Sequence, residues 1–158
     1  MLRTVEAEKY VAVLDVRYGS RYGELNERFY RRIDLVFGFV GLFGGSAVVF
    51  GAVSANPTLA AWSGGVVAAC AVFERLIRPI ERAVEHRDFK KKFADLDARS
   101  SAMSCVELDT ALRRLQMEAP TGISSLAIPA FNANLRSNGR DESVIPETAW
   151  QKAVALLA

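Results

Sequence analysis

Histidine and cysteine are scarce in this chain of 158 residues, which has one histidine, His86, and two cysteines, Cys70 and Cys105. One histidine cannot make up a zinc or transition-metal ligand set, and the cysteines are not spaced as ligands. One cysteine lies inside an apolar run and the other heads a polar segment, so a disulfide framework is not expected, in keeping with a reducing compartment. His86 falls in a charged stretch and reads as solvated or facing lipid headgroups. The serines of Ser100-Ser-Ala-Met-Ser104 have no base beside them and read as linker and cap. The glycines between 38 and 51 lack the strand-loop-helix context of a phosphate-binding loop. No catalytic residue, metal or cofactor is expected, and the chain is not read as an enzyme. A net charge of +2, with acids interleaved among the bases, gives no basic patch for nucleic acid.

Charge is missing from two long stretches, residues 35–53 and 59–73, while nearly every Lys, Arg, Asp and Glu lies in 1–34 or 74–152. The mean hydropathy of +0.12 therefore averages two unlike parts. The first stretch, Leu35 to Val53, would cover the roughly 30 Å hydrocarbon core as a helix. The second has only 15 strictly apolar residues, Leu59 to Phe73, and is long enough only if it runs on to Ile77 with Glu74 and Arg75 snorkelling to the interface. Between them, Ser54-Ala-Asn-Pro-Thr58 supplies uncharged turn chemistry. Trp62 follows as an interfacial aromatic.

Seven basic residues precede the first stretch (Arg3, Lys9, Arg17, Arg21, Arg28, Arg31, Arg32) and seven follow the second (Arg75, Arg78, Arg82, Arg87, Lys90, Lys91, Lys92). The connecting loop has none, so the positive-inside rule puts both termini in the cytoplasm. A cleaved secretory signal would need its apolar core nearer the start, and the first run is expected to stay. The reading is an all-α integral membrane protein: an amphipathic N-terminal helix over 1–34, a two-helix transmembrane hairpin over 35–77 (spans 35–53 and 59–77), and a cytoplasmic C-terminal helical bundle over 78–158. A soluble fold that buries the hairpin would need a covering layer larger than the C-terminal half offers.

Inside the spans, Gly38, Gly41, Gly45 and Ala52 share one helical face, and Ala61, Gly65 and Ala69 recur every four residues. Such faces let helices approach closely, so they are expected to pack within the hairpin and between copies of it; glycine is also simply common in membrane helices. Asp34 and Glu74 lie at the same depth. They are expected either to pair with Arg31, Arg75 or Arg78 or, in an oligomer, to ring a pore mouth. Neither span has a polar stripe, which excludes a permanently water-filled, charge-lined pore and leaves a narrow apolar one that gates by dewetting. Arg82, Arg87, Lys90, Lys91 and Lys92 lie within reach of the inner leaflet, where each charge is worth about 1 kcal/mol against anionic lipid.

Leu14, Tyr18, Tyr22, Leu25 and Phe29 mark one face of the leading helix, against lipid or, since Gly19 and Gly23 weaken an isolated helix, against later helices. The second span is expected to continue through Ile80, Val84, Phe89, Phe93 and Leu96, bent at Pro79. Ser104 with Glu107 forms a capping box that starts a helix over 105–118. A helix over 124–136, kinked at Pro129, is expected to stop at Asn138-Gly139, and Pro146 to open a last helix with Trp150, Val154 and Leu157 on its apolar edge.

The layout resembles the SLATT superfamily of small bacterial two-span proteins with cytoplasmic helical extensions. The similarity rests on the Arg17-Tyr18 and Arg21-Tyr22 pairs, the charge-free hairpin, Phe89-Lys-Lys-Lys-Phe93, and Leu126-Ala-Ile-Pro-Ala-Phe-Asn-Ala-Asn-Leu-Arg136. It implies a bacterial inner-membrane, homo-oligomeric effector of antiviral defence that forms pores or perturbs the membrane when a separate cytoplasmic sensor signals. A phage-type holin and a non-conducting scaffold for a cytoplasmic partner are the other two classes the layout suits.

Overall fold

The computed structural model describes residues 2–158, with side chains from residue 6, and the described residues form helices and no strand. The helices are α1 (Leu2–Val53), α2 (Pro57–Ile77), α3 (Pro79–Arg99), α4 (Cys105–Glu118), α5 (Ala127–Ser137) and α6 (Ala149–Leu156). Single 3₁₀ turns lie at Ser100–Ala102, Ser124–Leu126 and Asp141–Ser143. The chain divides into two compact units: Tyr30–Arg82, and Met1–Phe29 together with Ala83–Ala158. The leading segment therefore groups with the helices after the hairpin.

In that second unit the first part of α1 uses two faces. Ala12 and Val16 form a core with Phe93 and Leu96 of α3 and Leu108 and Leu112 of α4. Farther along, Tyr22, Leu25 and Phe29 pack on a cluster of Leu126, Val154 and Ala158. Tyr18 stacks on Tyr22 and meets Phe131 edge to face. The aromatic face is the one legible in the sequence; the other was hidden because it is built from small residues. A Cβ on Gly19 would lie 2.5 Å from the Phe93 ring, and one on Gly23 would lie 3.2 Å from the His86 carbonyl oxygen. These glycines, which would weaken a lone helix, are the places where α3 lies against α1.

His86 is consequently only 2 % exposed, which corrects its reading as a solvated residue. Three asparagines tie the connecting segments down, meeting the rule that buried polar groups be bonded. Asn26 donates from Nδ2 to the Tyr22 carbonyl and accepts at Oδ1 from the Ile123 N–H. Asn132 donates to the Ile145 carbonyl and to Glu147, and accepts from the Ile145 N–H. Asn134 donates to the Leu14 carbonyl.

Helix ends follow their chemistry, with three departures from expectation. Pro129 sits at the third position of α5, where an amide N–H has no partner within the helix, so it fits the first turn and produces no kink. The last helix opens on a capping box between Thr148 and Gln151, three residues beyond the proline expected to open it. At Arg78 the second apolar helix ends outright: Arg78 is left-handed (φ 50°, ψ 58°), and α3 starts afresh with Pro79 in its first position. α4 runs from Cys105 to Glu118 as the Ser104 cap dictates.

In that cap the Glu107 carboxylate accepts from the Ser104 backbone N–H and hydroxyl, and these bonds lower its pKa. A group whose pKa falls on folding contributes stability that is present above its unfolded value and lost as pH drops through the folded one. Ser104→Ala, which removes the hydroxyl bond and keeps the backbone N–H, is therefore expected to raise the Glu107 pKa only part of the way back and to weaken the acid dependence of α4. NMR titration of the Glu107 side-chain carbonyl checks this.

Candidate functional site: the apolar hairpin and its charged end

The hairpin unit is built from the last part of α1, the turn at Ser54–Asn56, and α2. Ala55 takes a left-handed φ of 54°, and Asn56 caps α2 by accepting from the Leu59 N–H at 3.1 Å. Pro57 then occupies the first turn, so α2 begins two residues before the predicted span and has 21 residues, ample for the roughly 30 Å apolar layer. The serine hydroxyls have partners within the helix, because Ser46, Ser54 and Ser63 each donate to the carbonyl four residues earlier.

The two helices meet through glycines, but not through those the small-residue pattern singled out. A Cβ on Gly51 would lie 2.8 Å from the Ala60 backbone nitrogen; one on Gly44 would overlap Val67, and one on Gly64 would touch Val48 at 3.7 Å. Gly38, Gly41, Gly45 and Gly65, by contrast, would meet nothing within 4 Å. Ala52, Ala61 and Ala69 are exposed. The expectation that these seven residues pack within the hairpin is thus corrected: they lie on its outside. The helix carries two interleaved glycine registers, and Gly44 and Gly51, seven apart, are the pair that faces α2. Their spacing was a signal, yet periodicity alone cannot say which register a partner helix uses.

Outside the contact line the hairpin presents bulky apolar side chains. Leu35, Phe39, Leu42, Phe43, Phe50 and Trp62 are all exposed, with the Phe39 and Phe43 rings 4.2 Å apart and tilted by 31°. Two stretches, Glu6–Val53 and Pro57–Ala102, contain windows apolar enough to cross a membrane, of which 6 % and 0 % is buried. The core helix of a soluble protein would be mostly covered there.

At the open end of the hairpin a cavity of about 330 Å³ is lined by Asp34, Ala71, Glu74, Arg75, Arg78, Pro79, Ile80 and Glu81. The structure brings Asp34 and Glu74 to this one cavity. It does not pair them with arginine as expected: among the described residues neither carboxylate makes a hydrogen bond or ion pair, and Arg78 bonds Glu81 instead at 3.2 Å. For the Glu74–Arg78 pair the cause is the break at Arg78. A Glu is normally reached by a base four residues on in the same helix, but here residue 78 has left helical geometry.

The basic residues after the hairpin are also used differently from expectation. Lys90 bonds Glu27 at 2.7 Å, and Glu27 is almost buried. Lys92 bonds Glu118 and lies over the Phe89 ring. Arg87 and Lys91 both lie near Asp88, and Arg82 is exposed. Lys90 and Lys92 are thus intramolecular partners and not a free lipid-facing patch, because the approach of α3 to α1 and α4 brings carboxylates to them. Among the described residues no group of three or more His, Cys, Asp and Glu could hold a metal ion.

Fold and site define a class: an all-helical protein with two helices long and apolar enough to cross a membrane, joined to a separate helical unit. No protein-family model, curated protein or solved structure matches the chain.

Proposed function

We propose that the chain is a two-span inner-membrane protein of the SLATT-like kind, with both termini cytoplasmic, whose hairpins self-associate and perturb the membrane, as pores or otherwise, under control of a C-terminal helical bundle and a separate sensor. One observation carries this reading. The hairpin satisfies its own packing through Gly44, Gly51 and Gly64, so the second glycine face, Gly38, Gly41 and Gly45, is left open to the outside with nothing against it. In lipid, where no hydrophobic effect draws helices together, an outward face of small residues is the surface on which another helix packs closely. A copy of the same hairpin supplies one in a symmetric oligomer.

The test measures mass and conductance together. Replacing Gly38, Gly41 and Gly45 by leucine is expected to weaken self-association in nanodiscs roughly tenfold or more, read by native mass spectrometry. It should also abolish any loss of membrane potential on induced expression. A monomer under all conditions would overturn self-association. An oligomer that leaves membrane potential intact, with or without a partner, would favour the second reading, a non-conducting scaffold. The absence of a polar stripe from either span supports that reading. Abrupt lysis would favour a holin.

A further inference from the structure

We propose that the cavity at the open end of the hairpin is a headgroup site for a phospholipid bearing a primary ammonium, phosphatidylethanolamine, with Asp34 and Glu74 receiving the ammonium and Arg75 the phosphate. The inference rests on the membrane reading above and adds a ligand to it.

Helical spacing builds one wall. Ala71, Glu74 and Arg75 lie at i, i+3 and i+4 of α2 and share a face, and Asp34 joins them from α1. Ala71 is small and sits one turn inside the charge-free stretch, leaving room where the charged residues end. The other end is bordered by the chain's own turn. Arg78 in the left-handed region and Pro79 at the head of α3 bring Ile80 and Glu81 to the cavity's rim.

Charge then selects the ligand. Arg78 and Glu81 neutralise each other at 3.2 Å. What remains without a partner among the described residues is two carboxylates and one guanidinium, Asp34, Glu74 and Arg75. A ligand that complements them carries a cation with several N–H donors and, a few bonds away, an anion that a guanidinium can fork. Phosphatidylethanolamine is built that way. Phosphatidylglycerol lacks the cation, and phosphatidylcholine has a cation without N–H donors. A lipid at this level would also cover neighbouring apolar surface, since Leu35 is 70 % and Leu76 73 % exposed. A hydrated divalent cation would answer the carboxylates but leave Arg75 repelled, which disfavours it.

The experiment uses the full chain in nanodiscs of equal phosphatidylethanolamine and phosphatidylglycerol, with the lipids that stay bound on gentle activation counted by native mass spectrometry. The ethanolamine lipid is expected to be enriched about fivefold over the glycerol lipid. The pair Asp34→Asn and Glu74→Gln, which keeps side-chain shape, should remove that preference with helicity unchanged by circular dichroism. Arg75→Gln should lower retention of both lipids. Free phosphoethanolamine or Mg²⁺ added in excess should not displace the lipid; displacement by either identifies a soluble ligand and overturns the lipid assignment. Entry into discs with no preference, or a preference that survives the double substitution, overturns this inference alone. Failure to enter discs overturns the membrane reading, and this inference with it.

Discussion

Gly51→Leu is expected to separate α1 from α2 at the closed end of the hairpin. The added Cβ would lie 2.8, 3.1 and 3.2 Å from the backbone nitrogen, Cα and Cβ of Ala60. None of these atoms belongs to a side chain that can rotate away, so the whole helix must shift. In a close-packed contact that costs typically 1–3 kcal/mol or more, and here it also strains the turn, where the Asn56 N–H donates to the Gly51 carbonyl at 2.8 Å. Crosslinking reads the result. Cysteines at Val48 and Gly64, which face each other across the hairpin, should bridge in an otherwise cysteine-free chain and fail to bridge once Gly51 is leucine. Gly41→Leu should leave that bridge intact, because a Cβ there meets nothing within 4 Å. If Gly51→Leu bridges as well as the parent, the hairpin does not pack on this glycine register.

The second large effect belongs to the other unit. Leu108 on α4 has no exposed surface and lies in the cluster formed by Ala12, Val16, Phe93, Leu96 and Leu112. Truncation to alanine leaves a cavity where α1, α3 and α4 meet and is expected to lower stability by about 2–5 kcal/mol. Val106, on the same helix but 75 % exposed, is the control, and Val106→Ala should stay within about 0.5 kcal/mol. Denaturant unfolding of the two variants in the same detergent decides. Equal midpoints would mean that α4 does not pack on the leading helix as described.

Local chemistry was readable wherever one side chain decides a backbone outcome. Ser104 with Glu107 set the start of α4 to the residue, and Asn56-Pro57 marked the reversal between the two apolar helices. The same rule applied to Thr148 and Gln151 would have placed α6 correctly, where Pro146 misled because a proline suits both a first helical turn and the loop before it. Gly19 and Gly23 were legible as weaknesses of a helix and not as contact points. Whether a glycine is a weakness or a contact depends on what lies opposite, and Phe93 and His86 are some seventy residues away in sequence. Lys90 and Glu27 carry the same lesson, since charges sixty-three residues apart leave no local pattern.

By itself the sequence determined that this chain is helical, that charge is absent from two stretches of which the first is long enough to cross a membrane, and where α4 begins and ends. Those properties follow from composition and from contacts within a few residues, such as caps and i,i+4 spacing. Only the tertiary structure decided which of two glycine registers closes the hairpin and which faces outward. Only it showed that the leading helix belongs with α3 and α4, and that Asp34 and Glu74 line one cavity without arginine partners. The reason is common to all three: helical periodicity states which residues share a face, and the packing of one helix on another chooses the face that is used.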